Sequence, residues 1–183
     1  MTPGAPDTPP GLGRQLLAVL LLPFMAAIVV PGVLVWLFGA SIGWELPGFA
    51  AGLPVIAGAA SITKGVQLVF DTIFLFATRG LGTLAPWDQT RKLVVEGPYL
   101  RVRNPMITGV ALVLLGEAAL VGSIPILIEL GVFALANALW MPLVEEPGLV
   151  NRFGDEYLAY KRAVPRWLPR REPATWTASG ADD

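Results

Sequence analysis

A chain of 183 residues with 54% hydrophobic and 15% charged residues and a mean hydropathy of +0.61 is too apolar for a water-soluble domain of its size, which makes it an integral membrane protein. A formal net charge of −1 argues against a nucleic-acid partner. With no Cys and no His there is no thiol nucleophile, no disulfide, no imidazole base and no thiolate or imidazole metal ligand, so no metal is expected and any chemistry rests on carboxylates, Arg, Tyr, Asn, backbone groups or a cofactor with its own reactivity.

In chain order, residues 1–13 hold four prolines in the first ten positions and little to bury, and are expected to form a disordered tail. Residues 15–44 contain no ionisable group, and ~20 apolar residues already cross a bilayer core, so a first helix lies within them. The run is longer than the ~7–15 residues of a signal-peptide core and ends in no small-residue cleavage site, which predicts a retained membrane helix. Residues 46–78 are apolar apart from Lys64 and Asp71 and form a second helix long enough to tilt and protrude. Pro105–Val121 and 124–144 form a helical hairpin, with Gly122-Ser123-Ile124-Pro125 supplying the turn. The expected fold class is all-α, with about four transmembrane helices in a single membrane domain over residues 14–170. A C-terminal helical cap closes that domain, and a disordered tail follows over 171–183.

Basic residues orient the spans, because cytoplasmic loops accumulate them. Arg14 precedes the first helix; Arg79, Arg91, Lys92, Arg101 and Arg103 lie between the second and third; Arg152, Lys161, Arg162, Arg166, Arg170 and Arg171 follow the fourth. With four spans, these twelve of the thirteen basic residues fall on one side. Both termini and the 79–104 loop are therefore expected on the cytoplasmic face, in a multi-pass protein of the bacterial inner-membrane kind.

The polar residues of most interest lie at that face. Gly97-Pro98 fits a turn, and Asn104 before Pro105 is a helix-start pattern, Asn as N-cap and Pro at the first helical position. A helix start carries free N–H groups and partial positive charge and can hold an anionic group; equally, Asn104 could serve only as a cap, with Arg101 and Arg103 anchoring the loop to lipid phosphates. Glu145 and Glu146, at the C-terminal end of the fourth apolar run, sit at the end of a helix dipole that favours cations. Either local arginines balance them or a cationic ligand does. Tyr157, Tyr160, Arg166 and Trp167 suit an amphipathic cap over the site or an interfacial aromatic belt.

The ordered set Gly97-Pro98-Tyr99, Arg103-Asn104-Pro105-Met106, Glu145-Glu146, Phe153-Gly154-Asp155-Glu156-Tyr157-Leu158-Ala159-Tyr160, Val164-Pro165-Arg166 and Pro169 resembles the isoprenylcysteine carboxyl methyltransferase family, whose wider clan includes the membrane phospholipid N-methyltransferases. The resemblance runs over residues 82–169. It implies S-adenosylmethionine as methyl donor and a lipid or hydrophobic small molecule as acceptor. Carried over position by position, Arg91, Lys92, Leu93 and Val94 would wrap the cofactor, Tyr99 would lie against it, Asn104, Pro105, Met106 and Ile107 would line its pocket, and Glu145, with Glu146 beside it, would hold its polar end. Glu145, Arg103 and Asn104 are the candidate catalytic residues. Members of the family commonly have His where this chain has Asn104, and the substrate-reading Arg of the prenylcysteine enzymes falls at Met141. Two rival readings are a small oligomeric transporter with Lys64, Asp71, Glu117 and Glu129 as its polar path, and a non-catalytic membrane scaffold.

Overall fold

The computed structural model describes residues 20–79 and 93–176. It is helical, with no strand among the described residues. Helix α1 runs through Leu20–Val29 and on through Val30–Phe38. Its first half has the wider π geometry, which suits prolines at 23 and 31, each without an N–H for the helix ladder. Helix α2 is Gly52–Arg79, α3 is Pro105–Val121, α4 is Ile124–Trp140 and α5 is Glu146–Ala163, with one π turn, Met141–Glu145, joining α4 to α5. Pro142 sits in that turn, where its missing N–H and its ring disfavour regular α geometry.

Three helical runs, Pro23–Glu45, Gly48–Leu75 and Ile124–Ala163, are long and apolar enough to cross a membrane, and Pro105–Val121 is a shorter apolar helix. At 1.5 Å per residue α3 covers ~26 Å, the low end of a bilayer core. The 40-residue run Ile124–Ala163 is twice the ~20 residues a bilayer core needs. Gly154, at the non-helical φ 52, ψ −129, breaks α5 so that its last turns fold back as a cap and bring Lys161 to Glu146. The expected hairpin turn is present: Gly122 takes left-handed φ 62, ψ 41 as C-cap of α3, and Ser123 Oγ accepts from Ile126 N at 3.4 Å to cap α4.

The α2 and α3 backbones touch. A Cβ on Gly58 would meet Gly116 O at 2.6 Å, and a Cβ on Gly65 would meet Gly109 O at 2.6 Å. The two helices are antiparallel, and glycines seven residues apart on each form one seam that only a missing side chain allows. Ser61 Oγ donates across it to Leu112 O at 2.7 Å. At the hairpin end, residues 41–45 dock on α3: Ser41 N donates to Val121 O at 2.7 Å and Trp44 Nε1 donates to Ala119 O at 3.1 Å.

Two apolar clusters result. One, inside the bundle, joins Ala27, Val110, Val113, Leu114, Ala118 and Ile126. The other lies in the cap and joins Val95, Tyr157, Tyr160, Val164 and Ala174. The second cluster corrects an expectation. The tail expected from Arg171 onward is ordered as far as Trp176: Ala174 is buried, its N–H donates to Leu100 O at 2.8 Å, and Trp176 packs edge-on to Tyr160 with centroids 5.8 Å apart. Burying an aromatic ring and a paired backbone amide compensates the ordering entropy that a polar tail could not. The expected tails 1–13 and 177–183 lie outside the described residues.

Candidate functional site

The start of α3 is held by two other segments. Gly97, at φ 55, opens the turn Gly97–Leu100, and Tyr160 Oη donates to Tyr99 O at 2.8 Å. Residues 164–174 then run back across the loop as a strap. Arg103 N donates to Pro165 O at 2.9 Å, Arg170 N to Arg101 O at 3.0 Å, Arg101 Nη1 to Arg170 O at 3.3 Å and to Arg171 O. Asn104 occupies the N-cap position, and its carbonyl accepts from Thr108 N at 3.0 Å. Its side chain makes no capping bond. Instead Nδ2 donates to Arg166 O in the strap at 3.4 Å.

The acidic doublet divides. Glu146 is 3% exposed and takes three cations: Arg103 Nη1 at 2.8 Å and Arg166 Nε at 2.6 Å on Oε1, and Lys161 Nζ at 2.6 Å on Oε2. Burial on its own would push this carboxyl up. The hydrogen bonds from Arg166 and Lys161 and the charges of Arg103 and Arg166 outweigh it and hold the group down to about 2, so it stays ionised through the neutral range. Arg103 is equally committed, donating also from Nε to Val164 O at 2.9 Å and from Nη1 to Tyr157 Oη at 3.1 Å. This knot carries two positive charges in excess of its single carboxylate.

Glu145 is exposed. Partial burial pushes its carboxyl above the usual range, Arg152 offsets this and Glu146 adds to it, and its field reaches Tyr99. The Tyr99 phenol is pushed well above its usual range by burial first, with Tyr160 and Glu145 adding to the effect, so it stays a neutral hydroxyl.

Of the residues singled out from sequence, the structure joins Arg103 to Glu146 directly and brings Tyr99 and Glu145 within electrostatic reach. Pro105 is buried, while Leu93, Val94, Met106 and Ile107 are half-buried. Leu93 packs against the cap cluster. Arg91 and Lys92 lie outside the described residues. Tyr157 and Tyr160 are core residues of the cap, each 3% exposed. Sequence reasoning missed Lys161 as a partner of Glu146; the signal is Gly154, whose φ of 52 breaks α5 between the two residues and lets the chain double back. The four ionisable residues of the transporter reading do not converge on one path. Lys64 and Asp71 are exposed on α2, whereas Glu117 and Glu129 feel one another between α3 and α4, each with one carboxylate oxygen buried without a hydrogen-bond partner. No cluster of three potential metal ligands occurs among the described residues.

Comparison with known proteins agrees with this organisation. Residues 53–156, more than half of the chain, match the phospholipid methyltransferase family. No curated protein and no solved structure matches. The matched span begins in α2, takes in the glycine seam, the start of α3 and both glutamates, and ends within α5. The chain therefore belongs to the phospholipid methyltransferase family, the membrane methyltransferases related to the isoprenylcysteine carboxyl methyltransferases.

Proposed function

We propose that the protein transfers a methyl group from S-adenosylmethionine to a lipid or hydrophobic small molecule at the membrane face where α3 begins, and that this face is cytoplasmic, as the gathering of basic residues there supports. The observation that carries the reading is the division of the doublet. Glu146 is spent inside the fold, while Glu145, its neighbour, stays exposed beside Tyr99 and Arg152.

The donor set suits the cofactor's chemistry. Glu145 offers a carboxylate for an ammonium. The first turn of α3, after Pro105, offers the N–H groups of Met106 and Ile107 for a carboxylate. Leu93, Val94, Met106 and Ile107 offer half-buried apolar surface for an adenine ring, and Arg91 and Lys92 complete the set by resemblance. When bound, S-adenosylmethionine supplies a methyl already activated on a sulfonium. The protein's share is then to position: it holds the nucleophile in line and excludes water, effects worth ~7–11 kcal/mol in well-oriented cases. In this reading Arg103 and Asn104 are positioning residues, because their polar groups are tied to Glu146, Tyr157 and the strap, and Glu145 is the residue that touches the cofactor. Within the family, the Gly97-Pro98-Tyr99 turn and the Glu145-Glu146 doublet favour the isoprenylcysteine carboxyl methyltransferase-like kind. Met141 is buried and offers no cation to a carboxylate acceptor, which favours an uncharged or amine-bearing one.

The test is titration of the purified protein in detergent with S-adenosylhomocysteine, followed by labelled S-adenosylmethionine on a total lipid extract to reveal the acceptor. The wild type should bind. Glu145→Gln should weaken binding at least about tenfold, the scale of one charged hydrogen bond, with an unchanged melting midpoint. No binding by the wild type would sink the reading.

A further inference from the structure

Along α2 the exposed residues Ala57, Ala60, Lys64, Gln67, Asp71 and Phe74 recur in steps of three and four, the heptad spacing that keeps one stripe of a helix facing a parallel partner. The glycine seam with α3 runs along the opposite flank, so the stripe faces outward from the bundle. Its polar members lie within the membrane-crossing run Gly48–Leu75, where ionisable groups are costly unless something polar meets them. Lys64 Nζ donates to Gln67 Oε1 at 3.4 Å, so the ammonium leans towards the Arg79 end. The Asp71 side chain sets out towards the Gly52 end, because every Cα–Cβ bond of a helix tilts to its N-terminus. Cation and anion thus approach the level of Gln67 from either side, yet among the described residues neither makes an ion pair. Two copies inserted in one membrane share an orientation, and a two-fold axis along the membrane normal sets their α2 helices parallel, with equal residues at equal depth. Gln67 then meets Gln67 of the second copy, its amide N–H groups available once Oε1 has accepted from Lys64. Each Lys64 faces the other copy's Asp71, so the stripe is complementary to itself. Ala57 and Ala60 are small enough to let the two backbones approach. Lipid chains offer the polar trio no such partners.

We propose that this stripe of α2 is the contact surface of a parallel homodimer, with Gln67 at its two-fold axis and a Lys64–Asp71 pair between copies on either side. The contact does not rest on methyl transfer.

Single cysteines placed in this cysteine-free chain and oxidised after reconstitution into liposomes at low protein-to-lipid ratio test it. Ala60→Cys and Phe74→Cys should give disulfide-linked dimers. Val66→Cys on α2 but off the stripe, and Leu135→Cys on α4, are also exposed positions and should stay monomeric. Single-molecule photobleaching of the labelled full chain in the same liposomes should count two copies. Lys64→Asp or Asp71→Lys alone sets like charges against each other and should weaken association by roughly tenfold, the scale of one charged hydrogen bond. The double exchange should restore it, a rescue that a folding defect would not give. A wild type that stays monomeric, with or without lipid retained on it in native mass spectrometry, would overturn the proposal. So would disulfides forming equally at Leu135→Cys, single exchanges without effect, or a double exchange that fails to rescue.

Discussion

The α2–α3 seam and the knot around Glu146 hold the same polypeptide together by opposite means. Along the seam no charge takes part: Gly58, Gly65, Gly109 and Gly116 bring two backbones into contact, and hydrophobic burial does little because lipid is as apolar as the side chains it replaces. In the cap, beyond the apolar spans, a buried carboxylate gathers Arg103, Lys161 and Arg166 over a small aromatic core. The membrane half is specified by the absence of atoms. The cap is specified by the placement of charge, which responds to pH and to substitution in ways that the seam does not.

Removing the central charge of the knot should separate the halves most strongly. Glu146→Gln leaves Arg103, whose side chain is 8% exposed, buried without its counter-ion, at a cost of about 3 kcal/mol or more. Limited proteolysis should then cut the 164–176 strap while the bundle survives. Acid should act in the same direction. The Glu146 carboxyl is held down to about 2 from an ordinary 4.5, so its stabilisation is complete above pH 4.5 and is lost as pH falls towards 2. A melting curve of the wild type should show this loss, and the Glu146→Gln variant should be flatter over the same window; a variant as acid-sensitive as the wild type would remove Glu146 from the account.

An overpacked seam should do the converse. Gly65→Val places a Cβ where Gly109 O stands 2.6 Å away and Val113 N 2.9 Å away, which should cost about 2–3 kcal/mol, insensitive to pH and read as a lower unfolding midpoint in detergent. The smallest effect tests whether the loop and the cap are coupled. Tyr160→Phe loses the bond to Tyr99 O at 2.8 Å while keeping the ring against Trp176, and should cost about 1 kcal/mol, with faster hydrogen exchange at Tyr99 and Leu100 as its signature.

Much of this was legible before any coordinates. Apolar run length identified the helices, Gly122-Ser123 marked the hairpin turn, and Asn104-Pro105 marked the start of α3. The Glu145-Glu146 doublet marked the candidate site, but adjacent residues on a helix point about 100° apart, so the two could not share one role, and nothing local says which turns inward. The ordered strap through Ala174 and Trp176 was missed because its burial depends on Tyr160 and Leu100, far away in sequence. The seam was written as two pairs of glycines seven apart, yet a spacing of small residues does not name its partner helix.

Membrane class, helix count and the position of the polar corner follow from properties that a segment carries alone, since the length and polarity of a run decide how it partitions into lipid. Which glutamate is locked and which is left open was decided by packing. The ion pairs that settle it join Arg103 to Glu146 across 43 residues and Glu146 to Arg166 across 20, and the energy of a charge pair depends on the distance and burial that the completed fold imposes.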